Sequence, residues 1–402
     1  MSNLALPKTS HLHLYLSSMV ERQASDMFLT VGAPPSIKVQ GEVLPLRFPS
    51  LQADEVQALS ASLLSDSQSS RFEAEMECDL AGVVEGLGRF RFNVYRQRGE
   101  LAIVVRHIQS TLPSVAQLHM PAILETLAMY KRGLVLIVGA AGSGKSTTLA
   151  SMIDYRNMNQ SGHILTIEDP IEFVHSHKQS IVSQREVGVD TQSFDQALRH
   201  AMREAPDVIM IGEMRDRLTV QHAINYAETG HLCLSTLHAN NAHQAIERII
   251  NFCPEDAHKR VQLDLSLNLH AVVAQRLIPG VNNQRMPATE VMLRSPYVAD
   301  LINKGQIDQL RGVIAKSNDI GMHTFDQSLF SLFADGLITL EQAIDNADSR
   351  TDLSVRLRIE LGATREPSGL SYSIQRRPIS RPTTRPNPAA TPMARHGLSC
   401  TY

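Results

Sequence analysis

The chain has 402 residues, 43% of them apolar and 20% charged, with a net charge of −3, which suits two folded domains and a tail and argues against a protein that coats nucleic acid. No apolar stretch reaches the roughly 18 residues of a membrane span, and no basic segment followed by an apolar one opens the chain, so membrane association is expected only through a partner. The four cysteines, Cys78, Cys233, Cys253 and Cys400, are scattered and form no C-x-x-C pair, which reads as reduced thiols rather than a disulfide or zinc framework.

Residues 12–22 have a helical pattern, 27–31 and 36–39 are β-like, and a helix is expected from Ala53. Residues 88–95 alternate apolar and polar, and 101–106 follow after a turn at Arg98-Gly99-Glu100, which predicts a hairpin. Residues 1–110 therefore read as a small α+β domain. Leu112-Pro113-Ser114 marks a linker, taken as 111–130, and a second domain is expected over 131–362.

That second domain opens on the apolar run Leu134-Val135-Leu136-Ile137-Val138, a buried strand by composition. Behind it stands Gly139-Ala140-Ala141-Gly142-Ser143-Gly144-Lys145-Ser146, the P-loop pattern G-x-x-x-x-G-K-[ST], and a helix opens at Thr147. Backbone N–H groups at such a loop and helix start converge on phosphate oxygens. Lys145 is positioned to neutralise the β- and γ-phosphates and Ser146 to ligate Mg²⁺, so the segment predicts a nucleoside triphosphate as ligand.

Further apolar runs at 163–167, 208–211 and 232–237 alternate with helical stretches, which predicts a parallel sheet covered by helices. From about Leu263 the pattern reads as mainly helical, with helices expected at 264–277, 297–304, 324–334 and 339–347. After Gly362 the composition shifts to proline, serine and threonine, and residues 363–402 are expected to be disordered. Six arginines against one glutamate give this tail a net charge of +5.

Two acidic segments narrow the chemistry. In Thr166-Ile167-Glu168-Asp169-Pro170-Ile171-Glu172, a strand delivers Glu168 and Asp169 to its C-terminal end, where a carboxylate can orient or deprotonate an attacking water. In Asp207-Val208-Ile209-Met210-Ile211-Gly212-Glu213-Met214-Arg215-Asp216, a buried strand ends as a Walker B strand does, with Gly212 where Asp is usual. Glu213 then supplies the carboxylate for the metal, while Arg215 and Asp216 hold neighbouring loops or subunits. Exchange of roles between Glu168 and Glu213 stays open.

The second segment resembles the signature of the secretion and type IV pilus motor ATPases, and Thr229-Gly230-His231-Leu232-Cys233-Leu234-Ser235-Thr236-Leu237-His238 is similar to their histidine box. The resemblance covers residues 12–347. It implies an α/β fold with an N-terminal PAS-like α+β domain, then a RecA-like P-loop ATPase domain with a C-terminal helical subdomain. It also implies that His238 reports on the γ-phosphate, that His231 supports the same network, and that arginines of the hairpin act as fingers between ring subunits. Among Arg89, Arg91, Arg96, Arg98 and Arg106, the pair Arg91 and Arg106 best match the family's positions. Assembly and secretion motors usually carry paired C-x-x-C motifs, absent here, and Gln184-Arg185-Glu186-Val187-Gly188 places the chain with pilus retraction ATPases of the PilT and PilU kind, while residues 150–157, 206–213 and 236–242 resemble PilU more than PilT. Val298-Ala299-Asp300-Leu301-Ile302-Asn303-Lys304 stands where PilT-like chains have A-I-R-N-L-I, and the missing arginine puts independent retraction in doubt. The resemblance implies a homo-hexamer that hydrolyses ATP with Mg²⁺ at the cytoplasmic face of the inner membrane to retract pili for twitching motility. Its implied partners are a PilT-like ATPase and an inner-membrane platform protein, with neither nucleic acid nor direct membrane insertion. Rival readings are a non-motor nucleotide-binding ring component, a pilus-extension or type II secretion ATPase, and a nucleic-acid translocase.

Overall fold

The computed structural model describes residues 2–3, 7, 9–39, 41–108, 112–281 and 284–361. Its first seven strands are β1 (Ser2–Asn3), β2 (Asp26–Thr30), β3 (Ser36–Val39), β4 (Glu42–Pro45), β5 (Glu77–Val84), β6 (Gly88–Gln97) and β7 (Glu100–Ile108). They form one sheet in the order β1-β5-β6-β7-β2-β3-β4, antiparallel except for β1 beside β5. Helices α1 (His11–Glu21), α2 (Ala53–Leu63) and α3 (Asp66–Glu75) accompany it. Alternation in β6 buries Phe90, Phe92 and Val94 in a core with Leu16, Met19 and Val56 of the helices. The other side of β6 carries Arg89, Arg91 and Asn93. The expected hairpin is present, its turn at Arg98-Gly99 taking positive φ at both residues, as a type I′ hairpin turn requires.

The second sheet comprises β8 (Gly133–Val138), β9 (Gly162–Glu168), β10 (Ser180–Glu186), β11 (Val208–Ile211), β12 (Leu232–Leu237), β13 (Leu269–Pro279) and β14 (Arg285–Leu293), in the order β10-β9-β11-β12-β8-β13-β14. All neighbours run parallel except the edge pair β13 and β14. Such a sheet must be covered on both faces. One face packs on α4 (Ile123–Ala128) and α5 (Lys145–Asn159). The other packs on α6 (Phe194–Ala201), α7 (Arg217–Glu228), α8 (Ala242–Asn251), α9 (His258–Asn268) and α10 (Pro296–Asn303). The same core includes residues of α11 (Leu310–Lys316), α12 (Phe325–Ala334), α13 (Leu340–Asp345) and α14 (Arg350–Leu361). The P-loop, both acidic segments and His238 all follow C-terminal strand ends on one edge of this sheet.

Three sequence expectations need correction. Residues 264–277, expected as one helix, divide between the end of α9 and β13. The run Ala271-Val272-Val273-Ala274 is buried on both sides between β8 and β14, so it lacks the period that separates buried strand from buried helix. Strands β10 and β14 complete the sheet where no strand was expected. The stretch taken as linker carries α4, whose Leu124, Leu127 and Ala128 share the core of the P-loop strand because their i, i+3, i+4 spacing makes one apolar stripe. The tail expected to be disordered, 363–402, lies outside the described residues, as does Cys400; Cys78, Cys233 and Cys253 are free and buried. Among the described residues no helix is long and apolar enough to cross a membrane.

Candidate functional site

The P-loop leaves β8 at Val138 and enters α5 at Lys145. Gly139 is required by contact: a Cβ there would stand 2.4 Å from Ser143 Oγ and 2.5 Å from Gln275 O. Gly142 and Gly144 take φ of +73° and +87°, left-handed values that glycine tolerates without strain. Gly144 is the N-cap of α5 and supplies no side-chain hydrogen bond, so the N–H groups of the first turn face the loop's concavity without a capping acceptor. Ser143 Oγ is buried and makes no hydrogen bond. Lys145 is buried at 8% exposure, and its Nζ donates to Gly139 O at 3.0 Å and Ala140 O at 2.9 Å. Burial lowers its pKa, and the Glu213 and Glu172 charges work against that. An uncapped helix start, an unpartnered hydroxyl and a buried ammonium fit a polyphosphate.

Beside the loop lies a cleft of about 530 Å³ that brings together Lys145, Ser146 and Thr147 with Asp169, Glu172, Glu213 and His238. Glu213 Oε1 stands 3.2 Å from His238 Nε2, and its Oε2 accepts from Arg215 Nε at 2.9 Å. Arg215 also reaches Asp169 Oδ2 at 3.2 Å, bridging the loops after β9 and β11. Asp216 caps α7, accepting from Thr219 N at 2.9 Å. A Cβ on Gly212 would lie 3.2 Å from Ile167 O and 3.3 Å from Glu168 Cα. The residue usual in a Walker B strand would therefore press on β9, and the carboxylate that lines the cleft comes one position later, at Glu213.

Glu168 sits behind this cleft, 8% exposed, in a small cavity shared with Ser146, Gly212 and His175. Burial pushes its carboxyl up to about 7, against hydrogen bonds from Thr166, Gln184 and the backbone N–H of Glu172. His175 is pushed down to about 4 by burial and is neutral.

Not every expected residue arrives at the site. His231 precedes β12, at the opposite end of that strand from His238, where its Nδ1 contacts Tyr226 O and Thr229 Oγ1. Six strand residues at about 3.3 Å each separate the two histidines, so His231 lies outside the cleft. Arg91 and Arg106 face each other across β6 and β7, held by Asp79 at 3.2 Å and Asp26 at 2.9 Å, and neither lines the cleft.

Two further contacts support the site: Gln275 had no role in the sequence expectations, and Arg89, one of the finger candidates, is engaged within the chain. Gln275 on β13 accepts from Thr148 Oγ1 at 2.9 Å and donates to Ser143 O at 2.5 Å, forming the floor of the P-loop. Arg89 forms an ion pair with Glu186 at 2.9 Å, both side chains 7% exposed, joining the first sheet to the end of β10. The contact spans 97 positions, beyond any local pattern.

Residues 89–309 match the family described as Type II/IV secretion system protein. The chain belongs to that family. This secretion-system family member is 49% identical over 361 residues to the type IV pilus ATPase PilU of Pseudomonas aeruginosa, covering 90% of this chain and 94% of that one. It is 41% identical to the type IV pilus retraction ATPase PilT of the same organism, over 83% of this chain and 96% of the other. A crystal structure of the pilus retraction motor PilT with bound ADP superposes with a TM-score of 0.80 at 41% identity, covering 86% of this chain and 99% of that one. The family likeness thus extends over both sheets and gives the chain a mixed α/β fold similar to PilT.

Proposed function

We propose that the chain is an ATP-hydrolysing motor of type IV pilus retraction, assembled as a homo-hexamer at the cytoplasmic face of the inner membrane and acting with a PilT-like ATPase on an inner-membrane platform protein. The observation that carries this reading is the convergence of Lys145, Ser146, Glu213 and His238 on one cleft at the uncapped start of α5. Likeness to PilU and PilT over most of the chain supports the biological role. The first sheet with its helices is the PAS-like domain in this reading, and the second is the RecA-like ATPase domain with its C-terminal helices.

ATP phosphates lie against residues 139–147, with Lys145 neutralising charge that builds on the β- and γ-oxygens. Ser146 and Glu213 offer hard oxygen donors that suit Mg²⁺, which when bound offsets phosphate charge. Glu168, with a carboxyl poised near neutrality, takes the proton of the attacking water. His238 contacts Glu213 and is placed to sense the γ-phosphate. Arg91 and Arg106 act in trans as fingers on a neighbouring subunit's nucleotide. Exposure of 28% and 61% at their side chains leaves both reachable, and they share the sheet face of Arg89, which already meets the second sheet.

ATPase assays on the purified protein and its Lys145→Ala and Glu213→Ala variants test the site. Turnover is expected in the parent and its loss in both variants; undiminished hydrolysis in either variant overturns the assignment. Pilus retraction scored with this chain alone, the PilT-like partner alone and both together tests the dependence.

A further inference from the structure

Thr166 and Gln184 are register partners on β9 and β10, and Glu168 lies two residues beyond Thr166, so all three side chains emerge on one face of the sheet. Thr166 Oγ1 donates to Glu168 Oε1 at 2.6 Å, and Gln184 Nε2 donates to the same oxygen at 3.2 Å. The orientation of the Gln184 amide is forced. Its Oε1 accepts from the backbone N–H of His175 at 2.8 Å, which can only donate, and its Nε2 also donates to Phe173 O at 2.8 Å. Toward Glu168, Gln184 therefore offers a donor and nothing else.

We infer that Gln184 is a positioning residue for hydrolysis, a donor on the edge strand that holds the Glu168 carboxylate in one orientation and keeps it ionised in a buried site. The inference rests on the reading of Glu168 as the base. A donor-only neighbour favours carboxylate over acid, opposing the desolvation that favours the acid. The other charged or titratable groups facing this site are Asp169, Glu172 and His175 of the following loop, Glu186 on β10, Glu213 after β11 and Lys145 on α5. Asp169 and Glu213 are engaged by Arg215, and Glu186 by Arg89.

The test is the pH dependence of single-turnover ATP hydrolysis by the full chain carrying Gln184→Leu. Its acid limb is expected to move up by roughly half to one pH unit, with the rate recovering at high pH and nucleotide affinity kept within about twofold. Where Gln184→Leu fails to fold, Gln184→Met decides, since it fills similar space, likewise removes the donor to Glu168 and must move the limb the same way. An unmoved limb in a folded variant, or a loss equal at every pH, overturns the inference. Glu168→Gln separates the two claims. Retained turnover in that variant rejects Glu168 as base, whereas an inactive Glu168→Gln beside an unmoved limb in the Gln184 variants rejects only the positioning role.

Discussion

His238 Nε2 stands 3.2 Å from Glu213 Oε1, while the other oxygen of the same carboxylate is held by Arg215. One carboxylate thus joins the ends of β11 and β12, and Arg215 extends the join through Asp169 to the end of β9. Lys145 and Ser146 line the same cleft, so Glu213 links three loops beside the start of α5. A residue held this way works as part of a unit.

Units lose function non-additively. Glu213→Gln and His238→Ala are each expected to lower kcat about 10- to 100-fold, with the double variant no worse than the worse single. Steady-state kinetics on the four proteins checks this, and multiplying losses would disconnect the two residues.

Glu168 makes two pH predictions with opposite benefit. As base it must be ionised, so kcat/KM for ATP should fall about tenfold per pH unit below about 7 and level off above it. For stability, burial raises the native carboxyl above its unfolded value, so the native state holds the proton more tightly, and stability falls as pH rises from about 4.5 to about 7. Glu168→Gln should consequently stabilise the chain at pH 8, by at most about 3 kcal/mol, and lose that advantage below about pH 4.5. Thermal unfolding of the parent and variant at both pH values measures it. An equal or lower midpoint for the variant at pH 8 would contradict the buried carboxylate as a source of strain.

The cleft end of the fold was legible because it is local: strand, glycine loop and helix are consecutive, and the acidic boxes and His238 announce themselves at strand ends. What supports that end was not, for physical reasons. β10 reads Ser-Ile-Val-Ser-Gln-Arg-Glu, too polar for a core strand, with Ile181 exposed on the sheet edge. β13 is apolar on both faces, and its Gln275 acquires meaning only when Ser143 and Thr148 are brought over it. The arginines of the hairpin were visible as candidates, yet Arg89, outside the preferred pair Arg91 and Arg106, is the one buried against the second sheet.

Gly212 can be tested against the usual Walker B residue. Gly212→Asp restores the common pattern on paper, but its Cβ would sit 3.2 Å from Ile167 O and 3.3 Å from Glu168 Cα. Crowding of that kind costs about 1 to 3 kcal/mol and displaces the strand that carries Glu168. The variant is expected to unfold at lower temperature and to hydrolyse ATP more slowly; an active, equally stable Gly212→Asp would show that β9 yields freely.

Arg89 and Glu186 give the strongest test of how the two sheets are held. Glu186 Oε2 accepts both from Arg89 at 2.9 Å and from the backbone N–H of Ile171 at 3.3 Å, three residues past Glu168. Arg89→Met leaves a carboxylate buried without its counter-charge, at a cost of about 3 to 5 kcal/mol. Adding Glu186→Gln removes the stranded charge while keeping an acceptor for Ile171, so the double variant should regain most of the lost stability in urea unfolding. Turnover discriminates further. If the pair only fastens the sheets, the double variant regains hydrolysis along with stability. If the attachment also sets the loop that carries Asp169 and Glu172, hydrolysis stays low after stability returns, because the neutral amide introduced on β10 holds Ile171 but no longer draws the first sheet onto it.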